Sequence, residues 1–155
     1  MADVTDGMGE YANTTGSGAH AIQGEKFLTK VVCTLHKATK DADATCTKAY
    51  LYSTAPALLA SAAFVGNDAT FNYVLANATS YYIVADAEGG AWVNGYDDTA
   101  AKGVYPNVKT NVNFTACVEG WADDTSLYRT IISITTEAVA SSVAVLQPNK
   151  YCGAI

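Results

Sequence analysis

Basic residues are scarce in this sequence: nine Lys and Arg stand against fifteen Asp and Glu, a formal net charge of −6 over 155 residues. A protein that neutralises phosphates needs a positive footprint, so nucleic acid is not an expected partner. Charge of either sign is thin, at 15%, against roughly 25% in an average globular protein. Hydrophobic residues make up 50%, which excludes disorder throughout and leaves Thr, Ser and Asn to cover the surface. No run approaches the roughly 18–20 apolar residues that cross a bilayer; the most apolar stretch, Pro56 to Val65, is short and rich in small residues. Membrane insertion is not expected. The length is about that of one average domain, with room for a single core.

Catalytic and cofactor chemistry is equally sparse. Only two histidines exist, His20 and His36, too few for a convincing Ser-His-Asp arrangement, and His36 reads as a surface residue. No Gly-x-Gly-x-x-Gly or Walker-type loop is present to cradle phosphate. The four cysteines, Cys33, Cys46, Cys117 and Cys152, form no close C-x-x-C pair, so a structural zinc site is not expected. The expectation is therefore no enzyme, no cofactor and no metal. Acidic pairs at Asp97-Asp98 and Asp123-Asp124, and Asp41 with Asp43, offer oxygen ligands for Ca²⁺ but lack the spacing of an EF-hand; solvated loops account for them.

Four cysteines allow three pairings. Cys33 and Cys46 flank a polar turn, but alternation puts Cys33 with Val31 and Leu35, and Cys46 with Lys48, Tyr50 and Tyr52, whereas a bridge needs both on one side. Cys117 falls on the polar face of its strand, where Cys152 can reach it from the C-terminal tail. The competing reading is that all four are reduced and act as small apolar filler.

Strand patterning dominates the middle of the chain. Residues 1–20, with four glycines among Asp, Thr, Ser and Asn, read as an extended N-terminal arm. From Glu25 onward, β-branched and aromatic residues alternate with polar ones between Asn, Asp and Gly clusters, the signature of strands. Residues 27–36 read as one strand, 37–43 as a turn and 45–52 as the return strand. Residues 71–75 and 81–85 read as a second hairpin about the turn 76–79. The longest alternation runs from Val108 to Val118, and 127–136 forms a last strand. Residues 57–63 or 137–140 are the only places for a helical turn or two. The pattern predicts an all-β, antiparallel β-sandwich of seven or eight strands over 21–140, followed by a C-terminal tail, 141–155.

The segments Phe27 to Leu35, Ala49-Tyr50-Leu51-Tyr52, Leu59-Ala60-Ser61-Ala62, Ala69 to Leu75 and Ala78 to Val84 occur in an order that resembles the jelly-roll modules of phage tail-fibre, baseplate and head-decoration proteins. Where members often carry Gly before the Thr of the hairpin turn, this chain has Ala78. The resemblance implies a jelly-roll fold and a role as a non-enzymatic virion structural protein, a capsid decoration or tail or fibre component. Its partners are then further copies of itself and other virion proteins, gripped by the arm and by a tail carrying Val143, Ala144, Val145 and Leu146. The opening residues lack the basic start and apolar stretch of a secretory signal, which agrees with a virion or extracellular location reached without one. The alternative is a carbohydrate-binding module for host or surface glycans, in which Trp92, Tyr96 or Trp121 presents a ring to a sugar face; packing in the core is the competing role for those rings.

Overall fold

The computed structural model describes residues 1–7, 14–18, 22–42, 44–86, 92–96, 105–124 and 131–140; for 14–18 and 92–96 the description is of backbone pairing. Among them there is no helix. The strands are β1 (Asp3–Gly7), β2 (Thr14–Gly18), β3 (Ile22–Thr29), β4 (Cys33–Lys40), β5 (Lys48–Ser53), β6 (Leu58–Val65), β7 (Asp68–Leu75), β8 (Ser80–Asp86), β9 (Trp92–Tyr96), β10 (Asn107–Val108), β11 (Val112–Glu119), β12 (Ala122–Asp124) and β13 (Ile131–Ala138). The protein is all-β and every described pairing is antiparallel. Eleven strands form one sheet in the order β1-β13-β4-β7-β6-β5-β8-β3-β11-β10, with β12 on β11; β2 and β9 pair separately.

The sheet curls on β6. Residues 58–63 of this strand pair with β5, whereas Phe64 and Val65 pair with β7. The two halves thus face a common core, in which Leu35, Phe71, Leu75 and Ile134 from one meet Phe27, Leu51, Ile83 and Phe114 from the other. The stretch 57–63, a place for a helical turn by sequence, is strand because its small side chains sit on a pleat that alternates between half-buried and exposed positions.

Both expected hairpins are connections between the halves. β4 pairs with β13 and β7, β5 with β6 and β8, and β8 with β3 and β5, so neither β4–β5 nor β7–β8 is a hydrogen-bonded pair. Turn residues between two alternating runs look alike whether the chain folds back beside itself or arches to the other layer. Thr29 holds the second arch. Its buried hydroxyl donates to Ala76 O at 2.5 Å and accepts from Thr79 N at 3.0 Å, and its backbone C=O accepts from Ala78 N at 3.1 Å. Ala78 takes the left-handed φ of 50° that glycine adopts more readily.

Two bulges reset which residues face inward. His36 of β4 is an extra residue against β13 and lies opposite the two unpaired residues Phe71 and Asn72 of β7; His36 and Lys37 both point outward while Leu35 and Ala38 are buried. β11 skips Thr115 against β3, after which Cys117 turns inward and Val118 joins the outer side. Cys117 is therefore fully buried and not on a polar face, as strict alternation predicts, because one extra residue reverses the parity of the pleat. The run 108–118 is also broken by a tight turn, in which Lys109 N donates to Val112 O at 3.0 Å.

The curl closes where its two ends meet. Part of the segment expected as an arm is the edge strand β1, and its Asp6 side chain, 3% exposed, accepts hydrogen bonds from the backbone N–H groups of Thr110, Asn111 and Val112 at 2.9, 2.8 and 3.3 Å. Asn111 Nδ2 donates to Thr136 Oγ1 of β13 at 3.0 Å. A polar clasp thus joins β1 and β13, at the start of the sheet order, to the β10–β11 turn at its end.

Candidate functional site

Alternation on the central strands of one half builds an aromatic outer face. Ala49 and Leu51 of β5 and Tyr81, Ile83 and Ala85 of β8 enter the core, which sends Tyr50, Tyr52, Tyr82 and Val84 to the other side. Beside them, the two-residue turn between β11 and β12 has left-handed φ at both Gly120 (58°) and Trp121 (69°), the geometry of a type I′ hairpin. That turn lays Trp121 over the face. Its indole meets Tyr52 edge-on at 4.7 Å between centroids and Tyr82 at 5.7 Å, and Tyr50 lies 6.4 Å from Tyr52.

Polar groups border the rings. Lys26 Nζ stands 5.4 Å from the Tyr82 ring centroid and pairs with Asp123. The Tyr82 hydroxyl donates to the other oxygen of that carboxylate at 3.2 Å. The hydrogen bond to Asp123 raises the ammonium pKa of Lys26 above its usual value. Tyr50, Tyr52 and Trp121 are half-buried, whereas Tyr82 is buried. Half-buried rings with charged hydrogen-bonding groups at their edge suit the C–H face and hydroxyls of a sugar.

Of the sequence candidates, only Trp121 is placed on this face. Trp92 and Tyr96 delimit β9 and pair with Gly18 and Thr14; their side chains lie outside the described residues, as do His20, Asp43, Asp97-Asp98 and Cys152. Asp123 is engaged by Lys26 and Tyr82. His36 lies on the other half of the sheet. Sequence reading missed Lys26, Tyr50, Tyr52 and Tyr82 as site residues; the available signal was the spacing of Tyr50 and Tyr52, two apart on a strand whose intervening Leu51 is core.

The cysteines lie on the core side. Cys33 and Cys46 are both buried free thiols of the same cluster. Cys46 escapes the face that alternation assigns it because it precedes β5, in a loop where the pleat does not operate. Burial pushes both thiols up, that of Cys46 to about 11. Relative to the ordinary 9.0, the folded chain holds this proton longer than the unfolded chain, so the associated stability is complete below about pH 9 and declines as pH rises toward about 11. Urea denaturation across that window is expected to show a steeper fall for the wild type than for Cys46→Ala; parallel profiles would refute it.

The fold and this face define an all-β, antiparallel protein carrying a half-exposed aromatic cluster. No protein-family model, no curated protein and no solved structure matches the chain.

Proposed function

We propose that this chain is a non-enzymatic structural protein of a virion, a capsid decoration or a tail or fibre component, whose curled sheet is a jelly-roll-like sandwich. The observation that carries the reading is the apolar end of the sheet. Met1, Val31, Val32 and Val139, exposed by 70, 36, 41 and 45%, line an open hollow of about 470 Å³ together with Lys30, Asn77 and Ala138. Apolar side chains gathered at one end favour burial against a neighbour, and a closed homo-oligomer or a contact with another virion protein would bury them. The sequence after residue 140 includes Val143, Ala144, Val145 and Leu146. Deleting 141–155 is expected to reduce the assembly to monomers in analytical ultracentrifugation while the β-type circular dichroism persists; an unchanged particle mass would argue against the proposal. Deleting 1–20 is a different experiment, because it removes Asp6 and the clasp.

A second reading, attachment to host or surface glycans, is favoured by the aromatic face. The test is a glycan array read with the wild type and with Trp121→Asn. Asn tolerates the left-handed backbone at this position but lacks the ring, so the expected result is loss of about 90% or more of any glycan signal, since ring stacking of this kind contributes on the order of 1–3 kcal/mol. Equal signals from the two proteins would remove Trp121 from the site.

A further inference from the structure

We propose that Asp3, His36 and Glu137 form a divalent-cation site on the outer face of β1, β13 and β4. These strands are adjacent in the sheet, with β13 between the other two. Asp3 and Glu137 are cross-strand partners. His36 arrives beside them through the bulge, which leaves it without a partner position in either of the ladders flanking β4. One ligand atom from each residue lies within 4.8 Å of the other two.

The imidazole stands between the two carboxylates. Its Nδ1 is 2.9 Å from Asp3 Oδ1, and its Nε2 is 4.0 Å from Glu137 Oε2, beyond hydrogen-bond range. Two donors each about 2.1 Å from one ion stand no more than about 4.2 Å apart. Because the two carboxylates face different ring nitrogens, a common ion requires the ring or one carboxylate to turn so that both oxygens meet the same nitrogen, which side chains 33–56% exposed have room to do, leaving further positions to water. The two carboxylates supply negative charge, and the outward Lys37 is engaged by Asp68 at 3.1 Å; the Met1 ammonium, 2.9 Å from Glu137 Oε1, is the cation an ion must compete with, and it leaves Oε2 on the His36 side. One imidazole with two carboxylates is a mixed nitrogen and oxygen set, suited to Zn²⁺ or Mn²⁺ over the all-oxygen shell of Ca²⁺ or Mg²⁺.

The experiment is calorimetric titration of the full chain with ZnCl₂ under reducing conditions, with amide chemical shifts followed in parallel. Saturable 1:1 binding is expected, with shifts gathered around residues 3, 36 and 137. His36→Ala and Glu137→Gln are each expected to weaken it by about tenfold or more, whereas Asp123→Asn leaves it unchanged. The contacts these variants remove are partly exposed ion pairs of small worth, so thermal melts of the two ligand variants should stay close to the wild type. Absence of saturable heat at millimolar Zn²⁺, unchanged affinity in His36→Ala, or shifts centred on the cysteines would overturn the proposal.

Discussion

Asp6→Ala is expected to lower the unfolding free energy by about 4 kcal/mol, the range for removing one member of a buried charged hydrogen-bonding set. Three backbone N–H groups point at this one carboxylate, and Asn111 and Val112 are themselves buried, so truncation leaves donors that water reaches poorly. The position magnifies the effect. Asp6 joins the first strand of the sheet order to the turn before its last long strand, and without it β1 keeps its ladder to β13 and the exposed or half-buried side-chain contacts of Asp3 and Thr5. Asp6→Asn retains one acceptor oxygen but turns an NH₂ toward donors, and is expected to cost about half as much. Urea denaturation followed by circular dichroism measures both variants. A loss below about 1 kcal/mol for Asp6→Ala would mean that the clasp contributes little to closing the sheet.

How much of the fold was legible in the sequence depends on the period of the pleat. Phe71, Tyr73 and Leu75 against Thr70, Asn72 and Val74 were readable because inward and outward residues alternate cleanly along β7, even where its register against β4 shifts between Tyr73 and Thr70. The all-β antiparallel class followed from such stretches. Pairing partners did not, since the turn around Ala78 carries the same residues whether β7 and β8 pair or part; Thr29, remote in sequence, anchors the arch. Parity failed at the bulges. His36 and Thr115 have nothing in their chemistry that marks them as extra residues, yet each reverses the facing of the residues after it on its strand, which is how Cys117 came inward and how His36 came beside Glu137. The strand role of 3–7 was hidden because Asp-Val-Thr-Asp-Gly has no apolar alternation: its order rests on ladder hydrogen bonds and a buried carboxylate. Trp121 was visible as a loop aromatic, but its companions read as ordinary strand tyrosines.

Gly24→Ala is expected to cost about 3 kcal/mol or more, through backbone collision and not through conformational entropy. A Cβ at this position would stand 2.6 Å from Val84 Cα and closer still to the Ile83 carbonyl, both in the backbone of β8. A flexible side chain could swing aside; a paired strand cannot, so β3 must bow away from β8 or the ladder must slip, and strain of this kind reaches the upper end of overpacking costs. Gly120→Ala provides the contrast. Its φ is +58° but nothing lies within 4 Å of the added methyl, so only the left-handed backbone penalty applies, about 1 kcal/mol. The two substitutions also separate in their effect on the aromatic face. Lys26 of β3 and Tyr82 of β8 are directly paired and both reach Asp123, so parting β3 from β8 removes the polar border of the rings. Near-ultraviolet circular dichroism is therefore expected to lose aromatic signal in Gly24→Ala under conditions where Gly120→Ala remains folded with little change. Equal stability losses in the two variants would show that β3 and β8 approach less closely at Gly24 than the collision requires.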